Sequence, residues 1–77
     1  MPRITPQNWK TLECIFLRDG FVFDRKTGSH RAYIKPRVIR PIIIPEYKEV
    51  DVEIIRSIMR TAEMSRDRYF ELLQECK

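Results

Sequence analysis

Between Gly20 and Pro45 the apolar residues stop recurring every three or four positions and begin to alternate. That change of period decides the fold class, because a helical stripe and a half-buried strand demand different spacings. Upstream, Trp9, Leu12 and Phe16 fall at helical spacing and Ile15 widens their stripe, which marks them as core rather than as a stacking surface for bases. Thr5-Pro6 reads as the start of this helix, with Thr as N-cap and Pro at the first helical position. Gly20 closes it. Phe21 to Arg25 then reads as a short strand, and Lys26-Thr27-Gly28 as a turn. From Ser29 to Lys35 the chain alternates, with His30, Ala32 and Ile34 on one side and Arg31, Tyr33 and Lys35 on the other. After a turn at Pro36-Arg37, Val38 to Ile44 reads as a third strand, and Pro41 favours an edge position for it.

Three strands with short links make an antiparallel meander, one face of which must be covered or Ile42 and Ile44 would meet water. The cover lies downstream. Asp51 caps a helix carrying Ile54, Ile55, Ile58, Met59 and Ala62, and Ser65 starts a shorter one with Tyr69, Phe70, Leu72 and Leu73. The expected fold is α+β: a two-layer α-β-β-β-α arrangement like that of double-stranded-RNA-binding domains, with a three-stranded antiparallel sheet and a short C-terminal helix.

Seventy-seven residues suit one domain spanning 1–77, close to the lower size limit for a hydrophobic core. A chain this small can cover one sheet face but has no room for a deep cofactor cavity, so no cofactor is expected. Charge is unevenly spread. From Arg18 to Arg40 seven Lys/Arg stand against two Asp, whereas from Glu46 to Lys77 six basic residues face eight acids. The first half therefore suits an anionic partner and the second half does not. Cys14 and Cys76 show no C-x-x-C spacing and there is only one histidine, so a zinc site is not expected. Reduced thiols in a cytoplasmic protein are the expectation. No apolar run approaches the roughly 20 residues of a spanning helix, so no membrane role is expected.

The one histidine sits in Gly28-Ser29-His30, at the junction between a turn and the second strand. Imidazole takes and gives a proton near neutral pH, and a glycine just upstream lets the backbone turn tightly. Set within the most basic third of the chain, His30 makes chemistry on a phosphodiester the hypothesis to test. A solvated histidine beside a turn is the plainer alternative.

The run Gly20-Phe21-Val22-Phe23, then Arg25-Lys26-Thr27-Gly28-Ser29-His30, resembles the G-F-x-x-x-R-x-x-G-S-H core of HicA-type toxins, the YcfA group of mRNA interferases. Ile43-Ile44-Pro45 resembles the end of their third strand, and Ile54 to Ala62 their second helix. Met64-Ser65 followed by Tyr69-Phe70 is similar to their I-S-x-x-x-F turn and last helix. The resemblance implies a cytoplasmic toxin that cleaves mRNA without the ribosome until a HicB-type antitoxin binds it, with His30 as the catalytic residue. Two positions depart from the pattern. Tyr47 stands where many relatives have a second histidine, and Glu63 where many have glycine.

Metal-free RNA cleavage needs a base for the 2′-hydroxyl proton, an acid for the leaving 5′-oxygen and positive charge on the phosphate. His30 can serve as base or acid, and water or Tyr47 must supply the other transfer. Tyr47 is a possible acid partner and otherwise a loop packing residue. Arg25 and Lys26 are candidate phosphate clamps or solvated turn charges. Ser29 could bond the phosphate or simply start the strand, and Arg31 completes the basic set around the histidine. Two other readings fit the basic first half. One is a non-catalytic module that holds RNA by shape and phosphate contact. The other is a protein-binding module whose surface exists to be covered by a partner.

Overall fold

A computed structural model describes residues 3–76. The first helix, α1, runs Trp9–Arg18, and the strands follow as β1 (Val22–Thr27), β2 (His30–Ile34) and β3 (Ile42–Pro45). Two helices, α2 (Val52–Ala62) and α3 (Arg66–Glu75), complete the order α-β-β-β-α-α. The sheet is antiparallel in the order β1-β2-β3, so the architecture is α+β.

Helix α1 begins three residues later than Thr5-Pro6 suggested. Gln7 is spent on an extended bridge to Val50, accepting from its N–H at 2.7 Å and donating to its carbonyl at 3.3 Å. Asn8 caps the helix instead, its side chain accepting from the Lys10 N–H. Asp51 and Ser65 cap α2 and α3 as expected. Gly20 follows α1 at φ +104°, a conformation that glycine adopts without a side-chain clash.

The meander differs from the sequence reading at its turns. β1 continues through Thr27, which pairs with His30, so the hairpin loop is Gly28-Ser29 rather than Lys26 to Gly28. Gly28 has φ +60° and Ser29 does not have a positive φ. A left-handed first residue alone is the requirement of a type II′ turn, whose twist matches the strands it joins. A register shift between Phe23 and Arg25 bulges the strand at Asp24. β3 is shorter than Val38 to Ile44, because the Val38 N–H is tied to the Lys35 carbonyl in a turn that puts Arg37 at φ +74°. Pro41, with no N–H to give a ladder, lies just before the strand, and β3 is indeed an edge.

The register sorts the sheet into two faces. Tyr33, Ile42 and Ile44 point into the helices and are fully buried with Leu12, Ile15, Phe16, Phe21, Val50, Ile55 and Tyr69. Burial contributes about 1.5–3 kcal/mol for each large apolar side chain. The other face carries Val22, Arg25, Thr27, His30, Ala32, Ile34 and Ile43, and all of these but Ala32 are exposed, so it is left uncovered.

The expectation of free thiols is overturned. Cys14 on α1 and Cys76 after α3 form a disulfide, with S–S 2.08 Å and Cα–Cα 5.9 Å. The packing of α3 on α1 brings together two residues 62 positions apart, a relationship that no local spacing rule detects.

Candidate active site

His30 opens β2 at the end of the sheet where the type II′ turn reverses the chain. Its cross-strand partners are Thr27 on β1 and Pro45 on β3. The side chain is exposed on the uncovered face. The Ser29 carbonyl accepts the Glu46 N–H at 2.7 Å, which fixes the backbone just before the histidine against the strand end.

Arg25 pairs with Ala32, so it shares the uncovered face with His30, and its guanidinium lies 3.6 Å from Asp24 in a largely exposed pair. Lys26 pairs with Arg31 and both point to the helix side. There they meet one carboxylate: Lys26 Nζ and Arg31 Nη1 each lie 3.1 Å from Glu46. These bonds, that from Lys26 foremost, hold the Glu46 carboxyl below its ordinary pKa.

Arg31 is the most engaged of the candidate RNA-binding residues. It reaches Glu13 at 3.3 Å as well as Glu46, and its guanidinium lies 5.0 Å from the Trp9 ring and 4.7 Å from the Phe23 ring. Its Nε donates to the Tyr33 hydroxyl at 3.0 Å, and Tyr33 in turn donates to Glu13. Burial, and then the bond to Glu13, push the Tyr33 hydroxyl up to about 12.

Tyr47 lies two residues beyond Pro45, the partner of His30, and so occupies the same end of the sheet. Its carbonyl accepts the Trp9 N–H at 3.1 Å and its N–H donates to the Pro45 carbonyl at 2.8 Å. The ring is 45% exposed, and among the described residues no hydrogen bond links it to His30. The structure thus puts His30 and Arg25 on the uncovered face, Ser29 in the turn just before His30, and Lys26 and Arg31 on the helix side.

Sequence reasoning missed the acids. Glu13 and Glu46 stand 17 and 16 residues from His30 in the chain, and only the strand register and the packing of α1 bring them to the same cluster. Among the described residues, no three His, Cys, Asp or Glu side chains gather in a way that could hold a metal ion, and no helix is long and apolar enough to cross a membrane.

A comparison with curated protein sequences found no significant match. The family model described as the HicA toxin of bacterial toxin-antitoxin systems matches residues 9–64, from the first residue of α1 to just past the end of α2. With most of its length inside that match, the chain belongs to the HicA toxin family, the toxin half of bacterial toxin–antitoxin pairs.

Proposed function

We propose that this toxin is an mRNA-cleaving, ribosome-independent endoribonuclease that acts in the cytoplasm, needs no metal ion and is silenced by a HicB-type antitoxin. The observation that carries the reading is the exposed imidazole of His30, set by a two-residue turn on the uncovered sheet face of a HicA-family chain. In the reaction the 2′-oxygen attacks phosphorus while the bond to the 5′-oxygen breaks. His30 takes the 2′-hydroxyl proton or delivers one to the leaving oxygen. Water or Tyr47 makes the complementary transfer. Arg25 neutralises the developing phosphate charge directly, with Ser29 as a hydrogen-bond donor. Lys26 and Arg31 lie on the helix side and add positive charge from behind the site, a contribution that Glu46 offsets.

The test is cleavage of a long single-stranded transcript in EDTA by the wild type and by His30→Ala. General acid–base assistance is worth on the order of a hundred- to ten-thousand-fold in rate, so the variant should lose that much while still binding RNA. Equal cleavage by both proteins would remove His30 from the chemistry. Binding without cleavage by either would leave the non-catalytic RNA-holding reading.

A further inference from the structure

Two of the cations nearest His30 are already occupied by acids. Lys26 lies against Glu46 and Arg31 against both Glu13 and Glu46, while Arg25 has only a 3.6 Å contact with Asp24. A polyanion arriving there must first compete with carboxylates, so this end of the sheet is a poor source of binding energy.

The opposite end has the reverse character. Between the β2–β3 loop and the last turn of α2 lies a cleft of about 450 Å³, lined by Ile39, Arg40, Arg60, Thr61 and Glu63. Arg60 is also a wall of an adjoining cleft of about 290 Å³, where it meets Arg56, Arg66, Ile4, Met59 and Met64. Around the two clefts stand four arginines and one carboxylate. Arg40 and Arg60 are exposed, and among the described residues neither has an ion-pair partner. Arg56, one helical turn before Arg60, has only a 3.6 Å contact with the largely exposed Glu53, a pairing of little energetic weight.

The loop that carries Arg40 is anchored at its root. Lys35 Nζ lies 3.1 Å from Asp19, which Arg68 holds from the other side at 3.1 Å. The Lys35–Val38 turn then projects Ile39, 96% exposed, and Arg40 away from the sheet. The sequence alone gave no sign of this surface. It counted the second half of the chain as net acidic, whereas folding brings Arg56 and Arg60 from that half beside Arg40 from the basic half.

We propose that Arg40 and Arg60, supported by Arg56, form a second phosphate-binding surface that holds the RNA strand extending away from His30. The proposal rests on the endoribonuclease reading above. Guanidinium groups left unpaired in water-accessible clefts match phosphate by shape and by charge. From His30 to Ile34 the strand advances about 13 Å at roughly 3.3 Å per residue, and the cleft lies beyond that point. A dinucleotide bound at His30 therefore does not reach it, and a longer strand does. The surface supplies affinity that is equal in ground state and transition state, so it acts on KM and not on kcat.

The experiment compares the wild type, Arg40→Ala/Arg60→Ala and Arg40→Lys/Arg60→Lys on a single-stranded RNA and on a cleavable dinucleoside phosphate. For an RNA of about 20 nucleotides, the alanine pair should weaken binding about tenfold or more and lower the slope of log K against log salt by about 1.4, at about 0.7 per lost phosphate contact. The lysine pair should keep most of that slope. Cleavage of the dinucleoside phosphate, and kcat on the long strand, should not change. An unchanged slope in the alanine pair overturns the proposal, as does an equal loss on both substrates, which would report a damaged fold. Unchanged RNA binding with loss of the complex formed with co-expressed antitoxin also overturns it, and assigns the patch to the protein partner. If the wild type binds no RNA at all, the endoribonuclease reading itself falls, and that result is seen before any variant is made.

Discussion

Glu46 lies 3.1 Å from Arg31 across the end of the sheet, and the same carboxylate holds Lys26 on its other oxygen. One acid thus restrains two of the cations placed closest to His30 in the register. Removing its charge releases both. Glu46→Gln should tighten binding of single-stranded RNA, by no more than about fivefold, since ion pairs open to solvent are weak. Fluorescence anisotropy with a labelled oligonucleotide measures it, and weaker binding by the variant would show that the carboxylate organises the site instead of blocking it. The Glu46 pKa is lowered in the folded state, so the stabilisation from these pairs is present above the ordinary carboxylate value of about 4.3 and is lost as pH falls through the lower folded value. The stability difference between wild type and Glu46→Gln should accordingly shrink in acid.

Glu63 ends α2 at φ 57°, ψ 38°, the left-handed conformation in which a side chain is strained. The Met64 N–H still reaches back to the Met59 carbonyl at 2.9 Å, closing the helix in the way a glycine would. Glu63→Gly should raise stability by about 0.5–1 kcal/mol, the relief of strain being partly offset by the greater freedom of glycine in the unfolded chain. Urea denaturation reads the change, and a loss of stability would mean that the carboxylate has a favourable role at the helix end.

These two positions show what was legible in advance. The helix caps Asp51 and Ser65, the apolar stripe of α2 and the alternation around His30 are local patterns, and the fold follows them. Glu63 could be recognised as replacing a glycine only through the family pattern, and its backbone angle then explains why that pattern has a glycine there. Other features are long-range. The start of α1 moved because Gln7 pairs with Val50, 43 residues away, and the Glu46 cluster exists only once β1, β2 and β3 are in register. Likewise, the pairing of Cys14 with Cys76 depends on α3 docking against α1. At the site, His30 and its turn could be read from the chain, whereas the acids that engage the neighbouring cations could not.

Tyr33 and Tyr69 are both buried and both shifted up to about 12, but their surroundings differ. Tyr33 donates to Glu13 and accepts from Arg31. The Tyr69 hydroxyl is buried with no hydrogen-bond partner among the described residues, and burial alone moves its pKa. Both folded values exceed the unfolded value of about 10, so their contribution to stability is complete below pH 10 and is lost as pH rises toward 12. An alkaline absorbance titration should show Tyr33 and Tyr69 ionising late, close to the unfolding transition. Tyr69→Phe removes an unsatisfied donor and should leave stability unchanged or raise it by about 1 kcal/mol, whereas Tyr33→Phe should cost about 1 kcal/mol by removing two hydrogen bonds from a network in which Glu13 and Arg31 still hold each other. Equal effects of the two substitutions would contradict the assignment of the network to Tyr33 alone.

The disulfide ties the terminal helix to the first one. Helix α3 lies outside the matched residues 9–64, yet it brings Tyr69, Leu72 and Leu73 into the core. Closing a loop between residues 62 positions apart removes chain entropy from the unfolded state, worth about 4 kcal/mol in the loop-closure description. Cytoplasmic thiol systems keep most cysteines reduced, so a toxin acting there would work without that contribution. Reduction with dithiothreitol, or Cys14→Ser/Cys76→Ser, should lower the midpoint of thermal unfolding clearly. Because His30 sits on the far strand turn and is held by β-sheet register rather than by α3, RNA cleavage at temperatures where the reduced protein stays folded should be unchanged. Free thiols in the purified oxidised protein, detected by mass after alkylation, would remove the bridge from the account. Loss of cleavage by the reduced but still folded protein would instead couple α3 to the site.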